Sequence, residues 1–220
     1  MDAKKYAILC NKAYEDGFKS IRHHTYFIQD DQTDTQAYIL QNAFEQIVMF
    51  RGTEISEFNL RDIETDLNIG RDCGIHRGFK ESFESIAKDL KEILIPTIPT
   101  TYTGHSLGGA LAMVASSYPI VPHVLCITFG APRVFSKAQA AIYEELEGHK
   151  LVKYENQYDP VPFLPPYSLG YDHTGSTVVL KGKEQHLNPS RFLSGVRMFF
   201  TSTRTKLREH SIETYIDNLG

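Results

Sequence analysis

Ser106 has a glycine two residues away on either side, in Thr103-Gly104-His105-Ser106-Leu107-Gly108-Gly109. A serine hydroxyl is a weak nucleophile by itself. On a tight turn between a strand and a helix it is pushed clear of the sheet, where it can attack a carbonyl. Bulk two residues before or after the serine would meet the crossing chain, so Gly104 and Gly108 permit the turn. Upstream, residues 100–103 are short and β-branched, as a buried strand can be. Downstream, Ala110, Ala112 and Ala115 let a helix pack close to it. A glycine-rich turn can arise by chance, and the strand and helix around it give the pattern its weight.

Such a serine needs a histidine to take its proton and an acid to orient and stabilise that histidine. In the sheet topology that the turn implies, the acid and then the histidine follow the serine along the chain. Glu144, Glu145 and Glu147 belong to a helix with an apolar opposite face. Asp159 instead follows a strand, at the carboxyl edge where α/β sites assemble. Asp159 is therefore the expected acid and Asp172 the alternative, although an Asp-Pro pair also starts ordinary turns. The later histidines are His173, His186 and His210. His186 lies in a polar turn, and His173 adjoins Asp172, where a structural hydrogen bond is the simpler role. His210 precedes Ser211 at the head of a final helix. Position alone leaves His173 and His210 open.

The oxyanion of an acyl-transfer intermediate needs donors aimed at it. The backbone N–H of Leu107 is one. Arg51-Gly52-Thr53, after the apolar run 47–50, offers a second: the glycine allows a turn and Thr53 carries both an N–H and a hydroxyl. A plain turn is the alternative.

These residues need a frame. Tyr6, Leu9, Cys10, Ala13 and Tyr14 recur at helical spacing until Gly17. Three β-rich runs follow, at 25–29, 36–41 and 46–50, and then a polar region from 54 to 73. A long helix carries Phe79, Phe83, Ile86, Leu90 and Ile93 on one face, and Pro96 and Pro99 end it. After the serine helix come a strand at 123–129, a helix capped at Ser136-Lys137-Ala138-Gln139 and ending near Gly148, and a strand at 150–155. A hairpin around 171–180 and a helical C-terminus complete the reading. Strands alternating with helices after an initial antiparallel run predict an α/β fold. The expected architecture is a mixed, mostly parallel central sheet flanked by helices, in one domain over residues 1–220.

Composition narrows the function classes. With 41% hydrophobic and 23% charged residues, the chain has an ordinary globular balance, and its net charge of -4 leaves no footprint for nucleic acid. Cys10, Cys73 and Cys126 cannot all pair with one another, and Cys126 reads as a buried free thiol. Neither the cysteines nor the nine histidines have metal-ligand spacing, so no metal or organic cofactor is expected. Met1-Asp2-Ala3-Lys4-Lys5 does not open a signal peptide, and no run is long enough to span a membrane. A cytoplasmic location is the expectation, with leaderless export as the alternative.

The chain resembles the class 3 lipases, the fungal-lipase-like branch of the α/β-hydrolases. The resemblance rests on Val48-Met49-Phe50-Arg51-Gly52-Thr53, His76-Arg77-Gly78-Phe79, the serine segment 103–111, and Thr128-Phe129-Gly130-Ala131-Pro132-Arg133-Val134. It continues through Asp159-Pro160-Val161-Pro162 with Leu164-Pro165-Pro166, then Tyr171, His173 and Gly175, and then His210-Ser211 before Tyr215. Carried over residue by residue, it implies Ser106 as nucleophile, Asp159 as acid, His210 as base, and Thr53 and Leu107 as oxyanion donors. His173 matches a structural histidine of the family, and His76 falls in an architectural block.

Two features depart from the family. The segment before His76 corresponds to the lid region, yet tryptophan, common in fungal lids, is absent from the chain. Phe58, Leu60 and Ile63 could form a small apolar flap there or pack as a surface turn. The disulfides of secreted members have no counterpart here. Both departures bear on triacylglycerol specificity and interfacial activation, and leave hydrolysis of lipid esters as the expectation. A phospholipase A or lysophospholipase is the neighbouring reading, and a catalytically silent lipid-binding protein the reading from another class. Arg191, Arg197, Arg204, Lys206 and Arg208, interleaved with Phe192, Met198, Phe199 and Phe200, could face an anionic membrane or lipid droplet beside the site, or form an ordinary solvated helix.

Overall fold

The computed structural model describes residues 2–52, 70–122, 124–188 and 203–220. Along the chain run α1 (Ala3–Lys12), β1 (His24–Asp30), β2 (Thr35–Gln41), β3 (Gln46–Phe50), β4 (Arg71–Asp72), β5 (Ile75–His76), α2 (Arg77–Ile93), β6 (Thr100–His105) and α3 (Leu107–Ser116). Then come β7 (Val124–Phe129), β8 (Phe135–Ser136), α4 (Lys137–Glu144), β9 (His149–Asn156), β10 (Tyr171–Asp172), β11 (Ser176–Lys181), β12 (Glu184–Leu187), α5 (Thr203–His210) and α6 (Ile212–Asn218).

The main sheet has the order β1-β2-β3-β6-β7-β9-β11-β12. From β3 to β11 every pairing is parallel, and β1, β2 and β12 join antiparallel at the edges. This is the mixed, mostly parallel sheet with flanking helices that the alternation predicts. A second small sheet, β10-β8-β5-β4, lies beside it.

Helices cover both faces, so the central strands are buried on both sides, as all of β3 and β6 are. On β3, Val48 and Phe50 face the core formed with Phe79, Phe83, Ile86 and Leu90 of α2 and the alanines of α3. Ile47 and Met49 face the opposite core, which holds Tyr6, Ala7 and Cys10 of α1 and Ile212 and Tyr215 of the C-terminal segment. A single strand thus packs against the serine helix on one side and α1 on the other, and the last helix packs on α1 and β9. Side-chain caps start the helices where the sequence offers them. Asp2 accepts from the Lys5 N–H at 3.1 Å, Ser136 from the Gln139 N–H at 3.2 Å, and Ser211 from the Thr214 N–H at 3.3 Å.

The C-terminal half differs from the sequence reading in two places. The expected hairpin at 171–180 is divided between sheets: β10 pairs with β8 in the small sheet, whereas β11 pairs with β9 and turns back through Gly182 into β12. His186 therefore lies on an edge strand and not in a turn. Helix α4 stops at Glu144, before Gly148, because the chain must turn through residues 145–148 to enter β9 at His149.

Candidate active site

β6 ends at His105 and α3 begins at Leu107, so Ser106 alone makes the turn, with φ 56° and ψ −126°. A side-chain-bearing residue held there stores about 1–3 kcal/mol of strain. Local hydrogen bonds hold it. The Ser106 N–H donates to the Phe129 carbonyl at 2.9 Å, and the Ser106 carbonyl accepts from Gly109 and Ala110 at 3.0 and 3.2 Å. The two glycines are there for space. A Cβ on Gly104 would lie 2.2 Å from the Gly108 backbone, and one on Gly108 would lie 2.3 Å from the Phe50 carbonyl oxygen. Leu107 occupies the first turn of α3, where backbone N–H groups have no partner within the helix.

Asp159 and His210 meet at the carboxyl ends of these strands, both buried. Nδ1 of His210 lies 2.9 Å from each Asp159 carboxylate oxygen. The same carboxylate accepts from the Val161 N–H at 2.9 Å and from the Tyr215 hydroxyl at 2.6 Å. Protein donors thus surround the carboxylate and replace the water it has lost, which is how a buried charge is tolerated. The Asp159 carboxylate is the acceptor, so Nδ1 of His210 carries a proton, which leaves Nε2 free to act as a base. Among the described residues Nε2 of His210 is buried and has no hydrogen-bond partner.

The main chain around His210 is held from β9. The Asn156 side-chain amide donates to the Glu209 carbonyl at 2.7 Å, the Asn156 N–H donates to the Tyr215 hydroxyl at 3.0 Å, and Asn218 donates to the Asn156 side chain at 2.9 Å. Gly130, with φ 58°, passes so close to the pair that a Cβ would lie 2.6 Å from Asp159 Oδ2 and 3.2 Å from His210 Cε1. Burial and the charge of Asp159 drive Tyr215 well above the usual tyrosine range, so its hydroxyl stays a donor.

The other expected residues fall as follows. His173 is elsewhere: its Nδ1 lies 3.0 Å from Lys153 Nζ, and its N–H donates to Asp172 at 2.8 Å. His76 is buried and stacked on Phe79 at 4.2 Å between centroids, and burial lowers it to about 4. Cys10 and Cys126 are buried free thiols that burial pushes up to about 12, whereas Cys73 is exposed. No metal-binding cluster occurs among the described residues. Thr53, Phe58, Leu60 and Ile63 lie outside the described residues, as do Arg191, Phe192, Arg197, Met198, Phe199 and Phe200. Arg208 is exposed and paired with Glu209 at 2.9 Å. Sequence reading gave no role to Tyr215, Asn156 or Gly130. Tyr215 closes the last block of the family resemblance, and that is the signal that could have marked it.

Residues 47–169 match the lipase (class 3) family. The chain belongs to that family. It is 35% identical over 169 residues to the secreted mono- and diacylglycerol lipase 1 of Fusarium solani, spanning 69% of this chain and 49% of that protein. It is 31% identical over 186 residues to a lipase of Rhizopus niveus, spanning 76% of this chain and 46% of that protein. The chain thus spans about half the length of the curated relatives it matches. Lipase II from Rhizopus niveus superposes with a TM-score of 0.77 at 25% identity, over 94% of this chain and 91% of that one. The lipase from Rhizopus microsporus var. chinensis superposes with a TM-score of 0.78, also at 25% identity, over 94% of this chain and 84% of that one. These relatives correct one expectation. The Fusarium relative and a Gibberella zeae relative of 31% identity are both named secreted lipases, which overturns the cytoplasmic location read from the N-terminus.

Proposed function

We propose that this protein is an exported serine hydrolase that cleaves the carboxylic esters of lipids through an acyl-enzyme on Ser106. The observation that carries the reading is the buried Asp159–His210 pair, whose far nitrogen has no hydrogen-bond partner among the described residues, together with Ser106 on a strained strand-to-helix turn next to His105, whose ring lies against that of His210. Membership of a lipase family and relatives named lipases support the substrate class.

In this reading His210 Nε2 takes the Ser106 proton as Oγ attacks the ester carbonyl. Asp159 holds the imidazole through Nδ1 and stabilises the imidazolium that forms. The Leu107 N–H binds the oxyanion, with Thr53 as the second donor implied by the family resemblance. His210 then passes its proton to the departing alcohol, and water releases the acid by the reverse sequence. Removing one oxyanion donor would cost on the order of 100- to 1,000-fold in turnover.

The test is hydrolysis of nitrophenyl esters from acetate to palmitate, with Ser106→Ala as the blank. Serine-dependent turnover that increases with chain length is the expected result. Turnover unchanged in Ser106→Ala would refute the assignment.

A further inference from the structure

His105, next to Ser106, is buried and bonded at both ring nitrogens. Its Nε2 lies 2.6 Å from the His210 carbonyl oxygen, and its Nδ1 lies 3.1 Å from the Tyr14 hydroxyl. A carbonyl only accepts, so Nε2 carries the proton and donates. In the neutral ring Nδ1 is then an acceptor, and the Tyr14 hydroxyl donates to it. The chain of donors runs in one direction: Tyr14 beyond the end of α1, His105 at the end of β6, and the main chain of His210.

We propose that Tyr14 and His105 are positioning residues whose hydrogen-bond relay sets the orientation of the His210 imidazole toward Ser106. The proposal rests on the reading of His210 as the base. Asp159 fixes one nitrogen of the His210 ring, and a ring held at one atom can still pivot about that bond. The relay fixes the same residue at its carbonyl, while Asn156 fixes the preceding carbonyl, that of Glu209. The His105 ring also lies against the His210 ring, with centroids 4.7 Å apart and planes at 36°.

The relay reaches the loop that leads to Thr53 as well. A Cβ on Gly52 would lie 2.5 Å from the Tyr14 hydroxyl and 2.6 Å from the His105 carbonyl oxygen, so that loop runs directly over the pair. Tyr14 therefore touches both the relay and the loop beside the serine, and Arg51 lies over its ring with 6.0 Å to the centroid.

The charge state suits the role. The groups facing His105 are Tyr14, His210 and, at 6.0 Å between centroids, Tyr215, with Asp159 behind His210. Burial, with His210 beside it, holds His105 well below the usual histidine range. The His210 imidazolium formed during reaction therefore has a neutral neighbour, where a charged one would oppose it.

The experiment compares Tyr14→Phe, His105→Leu, His105→Gln and His210→Ala for kcat and KM on nitrophenyl butyrate and for melting temperature. His105→Leu, which removes the donor, is expected to lower kcat about 10- to 100-fold with KM unchanged. His105→Gln keeps an amide N–H near the same place and should recover most of that loss. Tyr14→Phe should lower kcat by less, at an unchanged melting temperature. Wild-type kcat in both His105→Leu and Tyr14→Phe, beside an inactive His210→Ala, would overturn the relay and leave the base assignment standing. Losses that track the melting temperature, with no recovery in His105→Gln, would reduce His105 to a packing residue and overturn it equally. An active His210→Ala would instead overturn the base assignment, and the relay with it.

Discussion

The Tyr215 hydroxyl donates to Asp159 Oδ2 at 2.6 Å, so the helix that follows His210 returns to grip the carboxylate that His210 already holds. One donor thus ties the acid, the histidine and the C-terminal helix into a unit. Tyr215→Phe removes that donor and also strips the Asn156 N–H of its acceptor. A loss of about 1–3 kcal/mol is expected, with a fall in turnover. Thermal melts and ester kinetics on the same preparation check both. The folded-state pKa of Tyr215 lies above its unfolded one, so its contribution is complete below about pH 10 and is lost as pH rises past it. Tyr215→Phe should therefore show a weaker alkaline loss of stability than the parent.

His76 predicts the opposite pH dependence. It is 2% exposed, and neither ring nitrogen has a hydrogen-bond partner among the described residues. Burial lowers it from 6.5 to about 4, so the unfolded chain takes up the proton first as pH falls. The stability contributed by the neutral ring is present above pH 6.5 and lost progressively toward pH 4. His76→Phe keeps the stack on Phe79 and should flatten that loss by on the order of 3 kcal/mol. Denaturant titrations at a series of pH values measure it, and an unchanged slope would contradict the account.

Gly108→Ala tests the turn. The added methyl would lie 2.3 Å from the Phe50 carbonyl oxygen, a backbone atom that cannot swing aside. A cost on the order of 3 kcal/mol is expected, with activity lost before the fold is. Circular dichroism melts beside activity at low temperature would separate the two effects.

Asp159→Asn keeps the shape of the acid but cannot stabilise an imidazolium. Turnover should fall on the order of 10,000-fold with KM little changed, and the melting temperature should also fall because an amide NH2 cannot accept as the second carboxylate oxygen does. Single-turnover kinetics would place the loss in acylation.

The serine turn was legible because its physics is local: two glycines, a short β-branched strand and an alanine-rich helix are contiguous in the chain. The central sheet was legible because strands covered on both faces carry mostly apolar runs, as Ile47-Val48-Met49-Phe50 and Val124-Leu125-Cys126-Ile127 do. β12 escaped because an exposed edge strand reading Glu184-Gln185-His186-Leu187 carries no apolar run or alternation. The choice between His173 and His210 could not be made from position, since each adjoins polar residues and only the fold brings one of them to Asp159. Tyr14 reads simply as a core-facing residue of its helix, and Tyr215 only as the end of the last matched block, because a hydroxyl at the rim of a core leaves no mark on the apolar period. Their roles follow from contacts across 91 and 56 residues of chain.

The most direct test of the central claim is to treat the protein with an alkyl phosphonate ester and locate the adduct by peptide mass spectrometry. The account predicts a single adduct on Ser106, absent from Ser106→Ala and formed far more slowly in His210→Ala. An adduct on another residue, or none on a folded protein, would contradict it.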